Sequence, residues 1–389
     1  MKLPQLRRIT RDGKWIPEID GLRFIAIASV YLFHIAGETV ARAGHPVAIQ
    51  SRYSALTWII SNFDRGVRLF FVISGFILAL PFARHLLARE KPVSLRKFYL
   101  RRVTRLEPPY ILSVILFTVL FGVYSHGITA DFLRHALASL FYLHNLIYAD
   151  ISPVNMVTWS LEVEIQFYLL APLFMQVFRI PGKHLRRTLL ALAILGIGLL
   201  QGPVLLSARG RISIAYYVQY FLAGLLLADI YVLDLAGLRE SLRWDAIAVL
   251  VLAAMYELPH DALYAHIALP LLLPFLCLAA LKSMVFRKIM RLEWVAVLGG
   301  MCYSIYLMHL VLVAVLFKVT RRLVVFDDYV ANLSTQVLVL TPPVLLLCIT
   351  YFVLIERPCM DPHWPVKLWH RLTGRSGAEV AELDTAGIS

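Results

Sequence analysis

The chain has 389 residues, of which 59% are hydrophobic and only 16% are charged, and its mean hydropathy is +0.71. About a quarter of the residues of a soluble domain are charged, so this composition excludes an ordinary soluble protein and is typical of a membrane protein. The formal net charge of +13 is expected to reflect basic cytoplasmic loops and contact with anionic membrane lipids, and we expect no nucleic-acid partner.

The hydropathy pattern predicts an all-α, polytopic transmembrane helix bundle with about ten spanning helices. Each span requires about 20 mostly apolar residues. The predicted spans lie at about 22–38, 66–88, 107–125, 158–178, 188–206, 214–232, 245–258, 263–281, 295–317 and 336–355. The seventh is short. A further apolar stretch, 132–148, contains His and Asn, and we expect it to lie at the membrane interface or to re-enter the membrane.

The distribution of basic residues predicts the orientation of the bundle. With both termini on one side, the segments on that side hold 27 Lys and Arg residues, and the opposite segments hold 9. This excess predicts that both termini are cytoplasmic. We expect one membrane domain at 1–360 and a cytoplasmic tail at 361–389, which is partly disordered because its last residues are small and acidic.

The first span carries polar residues that are costly within a membrane. Arg23 and His34 are 11 positions apart, so they share one helix face and are separated by about 16 Å along the axis. Asp20 precedes Arg23 by three positions and can pair with it. Ionisable residues within a span indicate function by default, although a lone His can also simply donate a hydrogen bond across the bundle.

The fourth span places three polar side chains on one face. Ser160, Glu164 and Tyr168 follow an i, i+4, i+8 spacing. In the predicted topology Glu164 and His34 both lie in the outer half, where the two could meet, and a carboxylate beside an imidazole sets its tautomer and raises its basicity. The alternative is a structural ion pair between Glu164 and an arginine such as Arg68.

The segment SLRKFYLRRVTRLEPPY is the densest basic run of the chain. Arg102 and Arg105 fall on one side of a helical turn, with Arg101 beside them. Guanidinium groups bind phosphate in bidentate fashion, so this run could hold a phosphate-bearing ligand. Contact with anionic lipid is the other interpretation.

The ninth predicted span carries the sequence LGGMCYSIYLMHLVL, in which Tyr303 and Tyr306 are three positions apart. His309 is expected at a depth similar to that of His34. These side chains are interpreted either as packing residues with satisfied hydrogen bonds or as contacts to an acceptor substrate. The four cysteines show no spacing typical of a zinc site, and we predict no metal.

Six sequence elements together resemble the acyltransferase-3 family of integral membrane O-acyltransferases. In chain order they are DGLR with His34, GVRLFFVISGFIL, RRVTRLEPPY with Arg102 and Arg105, WSLEVEIQFYLLAPL with Trp159, Ser160 and Glu164, YSIYLMH, and IERP. They extend over roughly residues 15–360. Arg68 departs from the pattern, because an acidic residue is common at its position in the family.

The resemblance implies ten core helices, an acyl-CoA donor bound from the cytoplasm, and a multi-pass location in the bacterial inner membrane. It implies that His34 is the catalytic residue and that the loop with Arg102 and Arg105 helps to hold the donor. Acceptors in the family are mostly sugars of lipopolysaccharide, exopolysaccharide or peptidoglycan. The expected activity is therefore transfer of an acyl group, most readily acetyl, to a hydroxyl of an extracytoplasmic or lipid-linked glycan.

Together, the spacing of these residues and the resemblance define a candidate site. The predicted catalytic residues are His34, Glu164 and Asp20, and the predicted donor-binding residues are Arg23, Arg101, Arg102 and Arg105. The predicted acceptor pocket comprises Trp159, Ser160, Tyr168, Tyr303, Tyr306 and His309. We expect no permanently bound cofactor, with acetyl-CoA or another acyl-CoA as donor substrate. The alternatives are a transporter or flippase with an intramembrane polar path, and an O-acyltransferase that uses long-chain donors.

Overall fold

The structure is a computed structural model that describes residues 6–7, 15–42, 54–204, 208–260, 262–326, 328–361 and 364–365. No β-strand occurs among these residues. The tail predicted at 361–389 lies almost entirely outside the described residues.

The bundle is formed by the long helices among the described residues. They are α1 (Pro17–Arg42), α2 (Gly66–Ala88), α3 (Leu95–Tyr124), α4 (Trp159–Phe174), α5 (Lys183–Val204), α6 (Ile214–Leu233), α7 (Leu242–Glu257), α8 (Leu263–Lys282), α9 (Cys302–Thr320) and α10 (Tyr329–Tyr351).

Shorter elements connect the long helices. The short α-helices are Ser54–Ser61, Ala130–Leu140, His144–Tyr148, Ala208–Arg211, Phe286–Met290, Glu293–Gly300 and Arg357–Cys359. The 3₁₀ turns are Phe63–Arg65, Met156–Thr158, Met175–Arg179, Leu235–Gly237 and Arg321–Leu323. A π-helical turn, Phe352–Glu356, continues α10.

The predicted fold class, an all-α polytopic bundle, is confirmed. Among the described residues, 9 helical segments are long and apolar enough to cross a membrane. The remaining predicted span, 245–258, coincides with α7, which has 16 residues. The stretch 132–148 forms parts of two short helices rather than one span.

The ninth predicted span is interrupted, which the hydropathy pattern did not indicate. The helix Glu293–Gly300 ends before Met301, and α9 begins at Cys302. Gly299 explains the close packing of this short helix on α1, because a Cβ atom there would lie 1.7 Å from the backbone oxygen of Asp20. The polypeptide can approach α1 this closely only without a side chain.

Hydrogen bonds between helix ends show which ends lie together at each of the two faces of the bundle. We call the face where α1 begins the N-terminal face, and the other the far face. At the N-terminal face Lys183 donates to Asp234 over 2.8 Å, joining the start of α5 to the end of α6. At the far face the Trp58 indole nitrogen donates to the Glu257 carbonyl over 3.2 Å.

The centre of the bundle is the contact between α2 and α6. A Cβ atom on Gly75 would lie 2.4 Å from the Phe221 carbonyl oxygen, and one on Gly224 would lie 2.4 Å from the Val72 carbonyl oxygen. Both helices therefore touch through bare backbone, which the glycines make possible. Phe167 of α4 stacks on Phe221 with ring centroids 4.1 Å apart, which ties a third helix to this pair.

Candidate active site

A cavity of about 1500 Å³ extends from the N-terminal face into the bundle between α2, α3, α4 and α9. Its mouth includes the connection between α2 and α3, residues 89–94. Basic side chains outnumber acidic ones on its walls. The basic lining residues are Arg23, Arg84, Arg89, Lys91, Lys97, Arg101, Arg102 and Arg105, and the acidic ones are Glu90, Glu164 and Asp361.

The predicted donor-binding arginines line this cavity. Arg102 donates from Nη1 to the Phe98 carbonyl over 2.6 Å, and its guanidinium lies 3.6 Å from the centroid of the Phe98 ring. Arg105 presents a buried Nε with no hydrogen-bond partner among the described residues. Ser94 caps α3 by accepting a hydrogen bond from the Lys97 backbone nitrogen over 3.4 Å, so a helix start holds the basic run at the cavity wall.

Four basic lining residues were not singled out from the sequence: Arg84, Arg89, Lys91 and Lys97. The signal that could have found them was the density of basic residues in the segment 84–105. Sequence alone could not show that the end of α2 and the start of α3 border one cavity, because that depends on how the two helices are packed.

Glu164 lies in the cavity wall, where it accepts hydrogen bonds from Ser74 and Tyr168. Ser160 and Tyr168, which share its helix face, also line the cavity, as do Tyr303 and Arg23. The Tyr303 hydroxyl donates to the Leu106 carbonyl over 2.9 Å. The polar face predicted for α4 is therefore turned toward the cavity.

Tyr306 lies in the cavity wall beside Ser160. Its hydroxyl donates to the Val157 carbonyl, lies 3.0 Å from Ser160 Oγ, and accepts from the Leu161 backbone nitrogen over 3.2 Å. These contacts join α9 to the start of α4. A ligand in the cavity therefore meets two neighbouring hydroxyl-bearing residues in this part of the wall.

His34 and His309 face each other and do not line the cavity. His309 follows Tyr306 by three residues, so it lies about 4.5 Å further along α9 toward the far face. His309 Nε2 is 3.2 Å from His34 Nδ1. His309 is fully buried and His34 is partly buried, so the pair is shielded at one end and accessible at the other.

The surrounding carbonyls assign the protons of this pair. His309 Nδ1 lies 2.8 Å from the Ile305 carbonyl and 3.0 Å from the Tyr306 carbonyl, so it carries the hydrogen. Its Nε2 is then an acceptor facing His34 Nδ1, which also lies 2.9 Å from the Val30 carbonyl. With both neighbours accepting, His34 Nδ1 is the donor, and the lone pair of neutral His34 resides on Nε2.

The structure does not bring the predicted carboxylates to His34. Asp20 accepts from Arg23 over 2.8 Å and from the Trp15 indole over 2.7 Å, and it lies 14 residues before His34, about 21 Å along α1. Glu164 makes no hydrogen bond to His34 among the described residues. It lies one turn of α4 from Ser160 toward the N-terminal face, whereas the imidazole pair lies on the other side of Tyr306.

Arg68 and Trp159 occupy a separate region toward the far face. Arg68 Nη2 lies 3.4 Å from His260 Nδ1, so the suggested pairing of Arg68 with Glu164 does not occur. Trp159 packs against Tyr217 with ring centroids 5.3 Å apart and does not line the cavity. The predicted acceptor residues are therefore divided between the cavity, the histidine pair and this region.

The described residues contain no cluster of three or more His, Cys, Asp or Glu side chains arranged to hold a metal ion. The prediction that the protein uses neither metal nor resident cofactor remains a prediction.

The fold and site define a polytopic membrane protein with a cavity lined by basic side chains, in which the lining residue Tyr306 lies one helical turn from a pair of histidines. The acyltransferase-3 family model, which describes an acyltransferase domain, matches residues 16–355. The chain belongs to this family.

Curated relatives are bacterial O-acetyltransferases. The chain is 32% identical over 212 residues to the peptidoglycan O-acetyltransferase OatA of Listeria monocytogenes, a match that covers 50% of this chain and 29% of that protein. It is 24% identical over 328 residues to the O-acetyltransferase OatA of Staphylococcus aureus, covering 76% and 50%. A putative peptidoglycan O-acetyltransferase of Bacillus subtilis, YrhL, is 31% identical over 186 residues, covering 43% and 25%.

The matched region thus spans half or less of the length of each of these relatives. No solved structure showed a significant match to the chain.

Proposed function

We propose that this protein is a membrane O-acyltransferase that takes an acyl group, most readily acetyl, from cytoplasmic acyl-CoA and transfers it to a hydroxyl of an extracytoplasmic or lipid-linked glycan. The observation that carries the proposal is the cavity itself, which is rich in Lys and Arg and whose lining residue Tyr306 lies one helical turn from His309 of the His34–His309 pair. This arrangement suits a donor with phosphates at one end and a reactive thioester at the other.

The excess of basic side chains supports a polyanionic donor. Arg84, Arg101, Arg102 and Arg105 can each form charge-assisted hydrogen bonds with phosphate oxygens. The Lys and Arg bias of the loops favours a cytoplasmic N-terminal face, on the side where acyl-CoA is made. We assign the protein to the bacterial inner membrane, because the matched relatives are bacterial.

The chemistry follows from the proton assignment of the histidine pair. His34 Nε2 takes the proton of the acceptor hydroxyl, and the oxygen attacks the thioester carbonyl carbon. The carbon–sulfur bond then breaks, and protonated His34 returns the proton to the departing thiolate of coenzyme A. The same nitrogen could instead attack the thioester first and form an acyl-histidine. His309 is a positioning residue in either route.

We assign stabilisation of the oxyanion, the negatively charged oxygen that forms at the thioester carbonyl, to the hydroxyls of Ser160 and Tyr306. They lie 3.0 Å apart in the cavity wall. Hydrogen-bond donors aimed at developing negative charge lower the barrier to acyl transfer. Both hydroxyls contact the Val157 carbonyl in this structure, so they must turn away from it to donate to the oxyanion.

The glycan acceptor is inferred from relatives, since two of them carry peptidoglycan O-acetyltransferase in their names. The matched region covers only part of those proteins, so the assignment to this chain rests on shared family membership and on the site geometry.

The test is thermal unfolding of the whole detergent-purified protein with and without acetyl-CoA. A ligand that binds only the folded state raises the unfolding temperature by mass action. We expect acetyl-CoA to stabilise the wild type and the double variant Arg102→Ala/Arg105→Ala to lose most of this effect. The matched control is Arg239→Ala/Arg243→Ala, which removes two exposed arginines from the same face outside the cavity.

A further ligand, palmitoyl-CoA, helps to separate the alternatives. Palmitoyl-CoA that stabilises the protein more than acetyl-CoA would favour a long-chain O-acyltransferase. Equal stabilisation of the wild type and the Arg102→Ala/Arg105→Ala variant by acetyl-CoA would show that the donor does not bind in this cavity. No shift with any acyl-CoA would overturn the proposal and favour a transporter or flippase.

A further inference from the structure

A second group of charged side chains lies at the far face, around the start of α2. Asp64 and Arg65 belong to the 3₁₀ turn before α2, Arg68 lies in its first turn, and His260 follows α7. His260 Nε2 is 3.3 Å from an Asp64 carboxylate oxygen, and His260 Nδ1 is 3.4 Å from Arg68 Nη2. None of the four lines the donor cavity.

The two arginines of this group differ in what they contact. Arg65 is fully buried and donates from Nη1 to the Met255 carbonyl over 2.7 Å and from Nη2 to the Leu258 carbonyl. It therefore holds the end of α7 against α2. Arg68 is 9% exposed, its Nη1 is buried with no hydrogen-bond partner among the described residues, and its contact with His260 is long.

A guanidinium group in this position is costly. Burying an unpaired charge within a membrane protein costs several kcal/mol, so such residues are found where a ligand or counter-ion completes the interaction. Asp64 is the one carboxylate near two arginines in the described part of this region, and it faces His260. The group thus has an excess positive charge and an unused N–H donor.

The surroundings of Arg68 are suited to a sugar. Tyr216 of α6 and Trp159 are partly exposed in this region, whereas Tyr217 and Tyr220 are buried, and Trp159 packs against Tyr217. Phenol hydroxyls and indole rings combine polar groups with flat apolar faces, which is the chemistry a sugar ring offers in return. The side chains of Asp64 and His260 remain 39% and 33% exposed, so the group is open toward the far face.

This region lies close to the proposed catalytic histidine. A Cβ atom on Gly66, two residues before Arg68, would lie 3.0 Å from the side chain of Val30 in α1. The Val30 carbonyl is 2.9 Å from His34 Nδ1. Trp159 immediately precedes Ser160, whose hydroxyl contacts Tyr306 in the wall of the donor cavity. An acceptor held here would meet the acyl group at His34.

We propose that Arg68 binds an oxyanion, carboxylate or phosphate, carried by the acceptor sugar, so that the acceptor is an acidic or phosphorylated saccharide. The inference rests on the proposed acyltransferase function. Arg68 Nη1 donates to the oxyanion, which also displaces the long contact of Nη2 with His260. The partly exposed Tyr216 and Trp159 pack against the sugar ring.

The test compares glucuronate and glucose 6-phosphate with neutral glucose as probes. Thermal unfolding of the whole detergent-purified protein is measured at constant ionic strength, with Arg68→Gln as the variant. Arg134→Gln is the control, since Arg134 is exposed on a far-face helix. We expect the anionic sugars to stabilise the wild type and the control, glucose to have much less effect, and Arg68→Gln to weaken apparent affinity about tenfold or more.

Equal effects of glucose and glucuronate on the wild type would overturn the inference, and this comparison needs no variant. Unchanged affinity in Arg68→Gln would overturn it too. A lipid headgroup is tested in nanodiscs with and without phosphatidylglycerol. Stabilisation by this lipid that depends on Arg68, without an effect of the sugars, would reassign the site to lipid.

Acetyl-CoA serves as the internal reference. Stabilisation of Arg68→Gln by acetyl-CoA shows that the variant is folded and that the donor site is intact. Suppose that acetyl-CoA stabilises none of the proteins while the anionic sugars still stabilise the wild type and not Arg68→Gln. That result would reject the proposed function and support the anion site. The reverse result rejects the anion site alone.

Discussion

The two ends of the path through this protein are built differently. The cavity at the N-terminal face is wide, and its basic side chains exceed its carboxylates. Toward the far face imidazoles are paired with one another, as His34 is with His309 and His135 with His144. A basic cavity is suited to a polyanion, whereas a pair of imidazoles is suited to proton transfer. This contrast underlies the proposal that the donor binds at the N-terminal face and that the acceptor binds and reacts toward the far face.

The largest effect is expected at His34. His34→Ala removes the proposed base, and we expect acyl transfer to fall by about 10²- to 10⁴-fold. The measurement is transfer of labelled acetyl from acetyl-CoA to the acceptors in isolated membranes. Stabilisation by acetyl-CoA should persist, because His34 does not line the donor cavity. A variant that transfers acetyl at the normal rate would show that the chemistry does not occur at the histidine pair.

Variants of His309 and Glu164 test which of these two residues positions His34. His309→Ala removes the acceptor for His34 Nδ1–H, and we expect a loss of roughly 10- to 100-fold in kcat and an altered pH profile. His309→Gln should recover part of the activity, since its amide oxygen can accept the same bond. Glu164→Gln should cost less than about tenfold, because Glu164 contacts Ser74 and Tyr168 instead. A greater loss in Glu164→Gln than in His309→Ala would contradict this order.

The α2–α6 contact supports both the donor cavity and the far face. We therefore expect its disruption to lower the stability of the fold more than the rate of acyl transfer. Gly75→Ala places a Cβ atom against the Phe221 carbonyl, and we expect a loss of about 1–3 kcal/mol in the free energy of unfolding. Gly196→Ala is the control, since a Cβ there has nothing within 4 Å, and it should not destabilise. Equal thermal stability of the two variants would show that the helices can separate at little cost.

The smallest effect concerns pH at the far face. Burial, with a smaller contribution from His135, lowers the pKa of His144 below its usual value. Its contribution to stability is therefore present above the unfolded pKa, about 6.5, and is lost as pH falls further. We expect the unfolding temperature to drop by a few °C between pH 7.5 and 5.5. His144→Gln should reduce this pH dependence, and an unchanged slope would rule out His144 as its source.

The local hydropathy pattern of the sequence was sufficient to predict much of the fold. The predicted spans correspond to the long helices because an apolar run of sufficient length forms a helix wherever it crosses lipid. The structure departs from the prediction where the run is short, at α7, and where packing interrupts the helix, at Met301. It also departs at α3, which begins at Leu95 rather than near 107, so that Arg102 and Arg105 lie in a helix and not in the expected loop. The common face of Ser160, Glu164 and Tyr168 also follows from helical period alone.

Sequence reasoning placed Glu164 beside His34 because both residues are expected in the outer half of the membrane. Depth along separate helices is not set by residue count, since helices tilt, break and begin at different levels. Tyr306 of α9 separates the two groups, and His309 of the same helix takes the place expected for the carboxylate.

The sequence by itself determined the membrane class, the helical fold, the basic run at Arg102 and Arg105, and the candidacy of His34. These properties depend on composition and on spacing within one helix. Only the tertiary structure decided that His309 faces His34, that Arg68 contacts His260, and that the start of α3 borders the cavity. Each joins residues that are far apart along the chain, and their proximity depends on how the helices pack.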